Sequence, residues 1–376
     1  MKVYTILMDE RKENLEDLGY NSSFESAAKE ISLRNVVPAR VIAQHKEAYK
    51  VKNLHGEFLA KITGKQIFEA ENREDYPAVG DWVLITELDN EHAVIEKILP
   101  RQTIIKRRCG DRDKHGEKNG VQVIATNIDV GFVIESVTRD YNLNRFERYF
   151  SILQDSGIQG AIILNKVDLL SQKEKEEKIE ELKNRFPHTD IIMTSVINNN
   201  GLDTLRQYIE KGKTYCFLGS SGVGKSSLIN ALMDKEIIKT NTVSLQTDRG
   251  KHTTTGRQMY FLNNGGIVID NPGIREVGMV SVKKGVNNFF EEITALEQSC
   301  KYVNCTHTHE PGCAVLDAIK LGKINKERYA NYINLRKEAE YYDLTDSQKR
   351  QKDKDFGKFL NKAKKDFKKF GYNNYQ

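Results

Sequence analysis

The sequence predicts an α/β chain in three parts: a small N-terminal β-barrel, an open parallel sheet with helices on both faces, and a C-terminal helical region around a cysteine cluster. Three observations carry that prediction. Five short segments rich in β-branched and aromatic residues, ARVIAQ, AYKVKN, GEFLAKIT, DWVLITEL and HAVIEKIL, follow one another between turn-like stretches in residues 36–108. From about 125 to 290, apolar strand runs alternate with helical patterns, which implies a parallel sheet between two helical layers. Residues 300–313 crowd three cysteines and two histidines into one loop.

Bulk properties narrow the class. At 376 residues the chain has room for two or three domains. A net charge of only +5 names no nucleic-acid partner by itself. The basic excess is local: Lys349 to Lys369 holds ten Lys and Arg against Asp353, Asp355 and Asp366. Such a tail can contact RNA phosphates, and a solvated helix face has the same composition. The cysteines are Cys109, Cys216, Cys300, Cys305 and Cys313. An odd number, clustered beside histidines, points to metal ligation and away from a disulfide framework. The opening MKVYTILMDERKENLEDLGY meets charge too early for a signal peptide. No apolar run approaches the ~20 residues needed to span a membrane. A cytoplasmic protein without a membrane partner is expected.

In order along the chain, residues 1–35 are a polar, helical lead-in with no recognisable chemistry. Residues 36–108 hold the five barrel strands. An OB-fold closes with that number, and a small barrel of the SH3 type stays open as an alternative. Lys106, Arg107 and Arg108 follow the last strand and serve either as phosphate contacts or as a polar exit. Residues 109–124, beginning CGDRDKHGEKNG, are a charged linker. Within 125–290, NIDVGFVIESV, GAIILN, DIIMTSV, TYCFLG and GGIVID read as buried strands, and LNRFERYFSILQDSG and EKEEKIEELKNRF as helices. Residues 291–376 are helical around the cysteine loop and end in the basic tail.

The segment GSSGVGKSS, Gly219 to Ser227, joins the strand TYCFLG to the helix KSSLINALM. Its first eight residues fit G-x-x-x-x-G-K-[ST], and the strand–loop–helix context is the one a phosphate loop requires. Gly219, Ser220, Ser221, Gly222, Val223 and Gly224 can wrap phosphates with inward N–H groups, and the helix adds its positive N-terminus. Lys225 is expected to reach the β- and γ-phosphates, and the Ser226 hydroxyl to bind Mg²⁺, with Ser227 beside it. Asn165, Lys166, Val167 and Asp168 form NKVD at the end of GAIIL. An Asp168 carboxylate can accept from guanine N1–H and the 2-amino group, donors that adenine lacks. Asn165 can contact the base and support the loop, the Lys166 stem can cover the purine face, and Ser195 can brace the loop. Asp270, in DNPG, can hold Mg²⁺ through water, with the Gly273 N–H near the γ-phosphate. RGKHTTTG, residues 249–256, reads as a switch segment offering Thr254 to Mg²⁺, chosen among three adjacent threonines. Alone, NKVD also fits a solvated loop and DNPG a plain turn; their company with the phosphate loop makes the site.

Two departures from Ras-like proteins stand out. NKVD precedes the phosphate loop here, whereas it follows in Ras-like chains; a circular permutation accounts for the order. Ile274 occupies the position at which Ras-like enzymes carry a water-orienting Gln. His252 is the nearest polar candidate for that task, and an exposed loop histidine explains it equally well.

The cysteine loop, CKYVNCTHTHEPGC, gives Cys300, Cys305, His307 and Cys313 as C-x4-C-x-H-x5-C. Three thiolates and one imidazole suit a closed, structural Zn²⁺ site. His309 is a rival ligand two residues on.

The order NKVD, GSSGVGKSS, KHTTT, DNPG, set between a barrel and a Cys–His cluster, resembles the ribosome small subunit-dependent GTPase A family, bacterial circularly permuted GTPases. The resemblance runs from about residue 36 to the C-terminus; the lead-in is longer than the family leads one to expect. It implies GTP hydrolysis to GDP stimulated by the small ribosomal subunit, a role in late maturation of that subunit, rRNA contact, and a water-positioning role for His252. The family's zinc motif matches the spacing through His307. The expected protein is a monomeric, GTP-controlled switch that leaves the RNA chemically unchanged. An RNA-binding clamp with negligible turnover is the competing reading, separated by multiple-turnover phosphate release. A small-molecule kinase is disfavoured by NKVD.

Overall fold

Asn14 and Asn21 each cap the start of a short helical segment, a 3₁₀ turn at Leu15–Leu18 and helix α1 at Ser22–Glu30. The computed structural model describes residues 14–45, 48–108, 121–138, 141–238, 257–270 and 282–369. The lead-in is anchored by apolar contact: Leu18 and Phe24 bury against Trp82, Leu84 and Leu99 on the outside of the barrel.

The barrel comprises β1 (Val37–Gln44), β2 (Tyr49–Asn53), β3 (Gly56–Ile62), β4 (Trp82–Glu87) and β5 (His92–Ile98), with the short helix α2 (Gly64–Glu69) between β3 and β4. The strands pair in the order β1-β2-β3-β5-β4 and close through β4 on β1. Only β3 and β5 run parallel within it. This closure, with a helix after the third strand, is that of an OB-fold and decides against the SH3 alternative. Side-chain alternation accounts for the double burial of β4: Val83 and Ile85 fill the barrel interior, while Trp82 and Leu84 face the lead-in.

Strands β6 (Ile104–Arg108) and β7 (Val121–Thr126) form a separate antiparallel ribbon. The main sheet holds β8 (Val130–Ser136), β9 (Gln159–Asn165), β10 (Ile191–Thr194), β11 (Thr214–Leu218), β12 (Gln258–Phe261) and β13 (Ile267–Asp270), in the order β10-β9-β8-β11-β13-β12. All are parallel except β12, which runs antiparallel to β13. Counted from β11, the spatial order becomes 2-3-1-4-5-6: one continuous doubly wound set whose chain has been opened after its third strand. Sequence reading found five of these six strands; β12, QMYF, carries no β-branched residue, unlike the equally short β10 (IIMT) and β13 (IVID). Strand β12 also pairs with β1 of the barrel, Gln258 opposite Ala43, so barrel and sheet share one hydrogen-bonded array.

Helices α3 (Leu143–Asp155), α4 (Gln172–Arg185), α5 (Leu202–Tyr208) and α6 (Lys225–Met233) cover the sheet. Successive strand residues feed opposite cores: Phe132 and Ile134 pack with Leu202, Leu205 and Leu228, while Val133 packs with Phe146, Phe150 and Leu182. The C-terminal helices are α7 (Lys283–Phe289), α8 (Glu291–Glu297), α9 (Ala314–Lys320), α10 (Lys326–Asp343) and α11 (Asp346–Lys369). Val286, Phe290, Ile293, Val315 and Tyr332 join the same core as the α3 face of the sheet, so this region is fused to the sheet rather than tethered to it.

Candidate functional site

The parallel strands end at one edge of the sheet in Ser136, Asn165, Thr194, Leu218 and Asp270. In open α/β sheets ligands bind beyond these carboxyl ends, where the strand order reverses. The reversal here lies beside β11, and the loop from Gly219 to Gly224 leaves that strand. Gly224, at φ 100°, allows the loop to turn into α6, and a Cβ there would lie 2.3 Å from the Asn165 Nδ2.

Two loops far apart in sequence are bonded to each other at this edge. Asn165 is buried; its Nδ2 donates to the Val223 carbonyl at 2.8 Å, and its Oδ1 accepts from the Thr194 hydroxyl at 3.0 Å. Lys166, in the left-handed region at φ 64°, places its Nζ 2.8 Å from the Gly222 carbonyl. Val167 is fully buried. The Ser195 hydroxyl donates to Asp168 Oδ1 at 2.5 Å, and the Ile197 N–H donates to the same hydroxyl at 3.2 Å. Of the two tasks that sequence reading gave Asn165, the geometry displays the supporting one.

Lys225 folds back to donate to the carbonyls of Gly219 at 2.7 Å and Ser220 at 2.8 Å. Burial pushes its pKa down to about 8, against the opposing pull of Asp270 and Glu135. Asp270 faces it from β13. Both oxygens of this buried carboxylate lack a hydrogen-bond partner among the described residues, and burial raises its pKa while Lys225 lowers it. A buried carboxylate with no donor is costly unless a cation is brought to it, so the site fits a bound metal ion. Ser226 and Ser227 lie in the first turn of α6 behind Lys225.

Two residues of this site went unmarked in the sequence. Glu135, fully buried near the end of β8, pairs with Arg145 at 2.9 Å. Tyr149 of α3 is buried close by, and burial, followed by the Glu135 charge, pushes its phenol up to about 12. A lone acidic residue ending the apolar run VGFVI was a legible signal for Glu135; nothing local marks Tyr149.

The second cluster lies in the helical region. Ligand atoms of Cys300, Cys305, His307 and Cys313 all fall within 4.8 Å of one another. The Cys300 and Cys313 sulfurs are 3.8 Å apart, and each is 3.5 Å from His307 Nδ1. Tetrahedral zinc, with bonds of about 2.3 Å to sulfur and about 2.0 Å to nitrogen, sets ligand atoms roughly 3.5–3.8 Å apart, so the donor set fits that ion. The remaining His307 nitrogen, Nε2, is 3.0 Å from Glu297 Oε1, which orients the ring. His309 is exposed, with Nδ1 beside the Thr308 hydroxyl, and takes no part. His252, Thr254 and Gly273, with Ile274 and Cys109, lie outside the described residues.

Comparison with known proteins finds relatives along most of the chain. The family model for RsgA GTPase matches residues 98–280. A protein named small ribosomal subunit biogenesis GTPase RsgA 1, from Bacteroides thetaiotaomicron, is 34% identical over 95% of this chain and 99% of its own. RsgA from Leptospira interrogans is 40% identical over 89% of this chain and 92% of its own. Among solved structures, YjeQ from Thermotoga maritima superposes with a TM-score of 0.60 at 24% identity, covering 81% of this chain and 98% of that one. YloQ, described as a circularly permuted GTPase, gives 0.57 at 22% identity, covering 83% and 98%. These two likenesses establish the shared fold. With near full-length relatives well above 30% identity, and with the permuted sheet and both clusters in place, the chain belongs to the RsgA GTPase family.

Proposed function

We propose that this chain hydrolyses GTP to GDP and phosphate as a switch in biogenesis of the small ribosomal subunit, as its relatives' names describe. One observation carries the nucleotide reading: the Asn165–Val223 and Lys166–Gly222 bonds lock the NKVD loop to the phosphate loop at one sheet edge. A guanine read by Asp168 then has its phosphates delivered to the loop from Gly219 to Ser227.

The residue roles follow. Asp168, its other oxygen braced by Ser195, accepts from the guanine donors, and the Lys166 stem lies over the ring. Lys225 leaves the two carbonyls it holds and turns to the β- and γ-phosphates. Ser226, Thr254 and Asp270 would hold Mg²⁺, and the Asp270 carboxylate, which has no hydrogen-bond partner among the described residues, supports that choice. Bound Mg²⁺ supplies charge neutralisation on the phosphate oxygens. Gly273 senses the γ-phosphate through its N–H, and His252 positions the attacking water. Zn²⁺ on Cys300, Cys305, His307 and Cys313 supplies a structural cross-link.

No helix among the described residues is long and apolar enough to cross a membrane. We place the protein in the cytoplasm, working as a monomer on rRNA through the barrel and the basic helix α11. GTP orders the switch and favours the bound state; hydrolysis releases it. Co-sedimentation with purified small subunits tests this. Retention with a non-hydrolysable GTP analogue should exceed retention with GDP, and equal retention in both states would remove the switch.

A further inference from the structure

Helix α10 is bonded to the metal cluster on one face and to the helices of the sheet on the next. Tyr329, Tyr332 and Arg336 follow one another at helical spacing and so share a face. The Tyr332 hydroxyl donates to Glu297 Oε1 at 2.6 Å, and Arg336 Nη1 donates to the same oxygen at 3.0 Å. That oxygen is also the one 3.0 Å from His307 Nε2. Tyr329 holds the backbone of the same residue: its hydroxyl donates to the His307 carbonyl at 2.5 Å. His307 lies in the left-handed region at φ 61°, which a non-glycine residue keeps only where its surroundings fix it. The neighbouring face of α10 carries Arg328, Asn331 and Glu338. Arg328 and Asn331 donate to the fully buried Glu147 of α3 at 2.8 and 2.5 Å, and Glu338 pairs with Arg148 of the same helix.

We propose that Tyr332 and Arg336 are positioning residues for the metal site, so that zinc binding and the seating of α10 form one coupled equilibrium. This deepens the zinc reading above and rests on it. His307 turns Nδ1 toward the Cys300 and Cys313 sulfurs, so Nδ1 is the ligand atom and Nε2 carries the proton given to Glu297. Glu297 is partly exposed, and water competes for its oxygens. Two donors from α10 fix the oxygen that receives the His307 proton, and with it the plane of the ring. Neither donor touches a ligand atom; both act through Glu297. The arrangement runs both ways. With His307 fixed on a metal, the Glu297 oxygen that holds α10 is fixed as well. Only Leu344 and Thr345 separate α10 from α11, so the basic helix takes its attitude from an element seated in part by the metal site.

The test is the zinc affinity of the full-length chain by chelator competition, with melting temperatures taken in excess zinc and in excess chelator. Tyr332→Phe and Arg336→Met each remove one donor and should weaken zinc binding roughly two- to tenfold, the worth of one hydrogen bond. Combined with Glu297→Ala, neither should weaken it further, because both act through that carboxylate. Lys337→Met, on the exposed side of α10, should change nothing. A merely structural contact lowers the melting temperature equally with and without zinc, whereas a positioning contact lowers it more with zinc. Amide exchange along residues 326–343 should quicken when zinc is withdrawn, which reads the coupling from its other end. Unchanged zinc affinity in the two variants, losses that add to that of Glu297→Ala, or equal melting shifts in both conditions would overturn the positioning role. Exchange along α10 that ignored zinc would overturn the coupling. Should Tyr332→Phe not fold, Arg336→Met carries the test alone. Wild-type chain that bound no zinc would instead remove the metal-site reading on which the coupling rests.

Discussion

Asp168 and Lys225 show what a residue can do that its motif letters do not say. With Oδ1 held by Ser195, Asp168 offers the base a carboxylate fixed in orientation. Asp168→Asn exchanges an acceptor for a donor. GTP affinity should fall about 10- to 100-fold, the scale of a charged hydrogen bond, and xanthosine triphosphate should bind better than GTP. Competition titrations check both; a variant still preferring GTP would remove Asp168 from base reading. Lys225, with its pKa lowered to about 8, is partly deprotonated in the free protein near that pH. A bound triphosphate favours the charged form and raises the pKa again. Binding at pH 8 should therefore take up about half a proton per site, and at pH 7 much less. Calorimetry in buffers of different ionisation enthalpy measures this; equal uptake at both pH values would contradict it. At this scale much was legible. Every described site residue singled out in the sequence lies at the strand edge or in the metal cluster. Glu135 left a local signal, an acidic residue closing an apolar run, but its charge opposite Lys225, 90 positions along the chain, was not legible, and nothing local marked Tyr149.

Among the elements, the cysteine loop carries the clearest consequence. It joins α8 to α9, two short helices whose isolated stability is marginal. The Cys313 sulfur also caps α9, accepting from the Leu316 N–H. We expect one zinc per chain by elemental analysis. Cys313→Ser should lose most of it and expose the region after 297 to protease. Glu297→Gln, which removes the charge behind His307, should weaken zinc affinity about 10- to 100-fold while the four ligands remain. Chelator competition reads this, and unchanged affinity would reduce the Glu297 contact to surface chemistry. Element identity was mostly legible, since alternation and helical spacing are local properties. Pairing was not: the barrel type rests on β3 meeting β5, and β12 is recognisable only by what lies on either side of it.

For the whole molecule, the joint between barrel and sheet centres on Arg40. This fully buried side chain donates to the carbonyls of Leu18 at 2.5 Å and Asn127 at 3.1 Å and to the Thr214 hydroxyl at 2.8 Å, so it ties lead-in, barrel and sheet together. Burial lowers its pKa to about 10, with Asp129 and Asp81 opposing, so it stays charged at neutral pH. Arg40→Ala strands those acceptors and should cost about 2–4 kcal/mol. The single tryptophan, Trp82, reports the barrel, so its fluorescence and the far-UV signal should separate during urea unfolding of the variant. Coincident, unshifted transitions would show that the joint does not depend on Arg40. No stretch of sequence around position 40 announces this role, because every partner is distant in the chain. The proposed function rests on the joined whole: a guanine site at the sheet edge, with the barrel and helix α11 as the proposed partner-binding surfaces. The most direct measurement is multiple-turnover phosphate release from GTP by the full chain, with and without purified small ribosomal subunits, with ATP and large subunits as controls. A slow basal rate, strongly raised by small subunits alone and only for GTP, is the predicted result. Tight GTP binding with no such stimulation would contradict the account and leave a guanine-nucleotide clamp in its place.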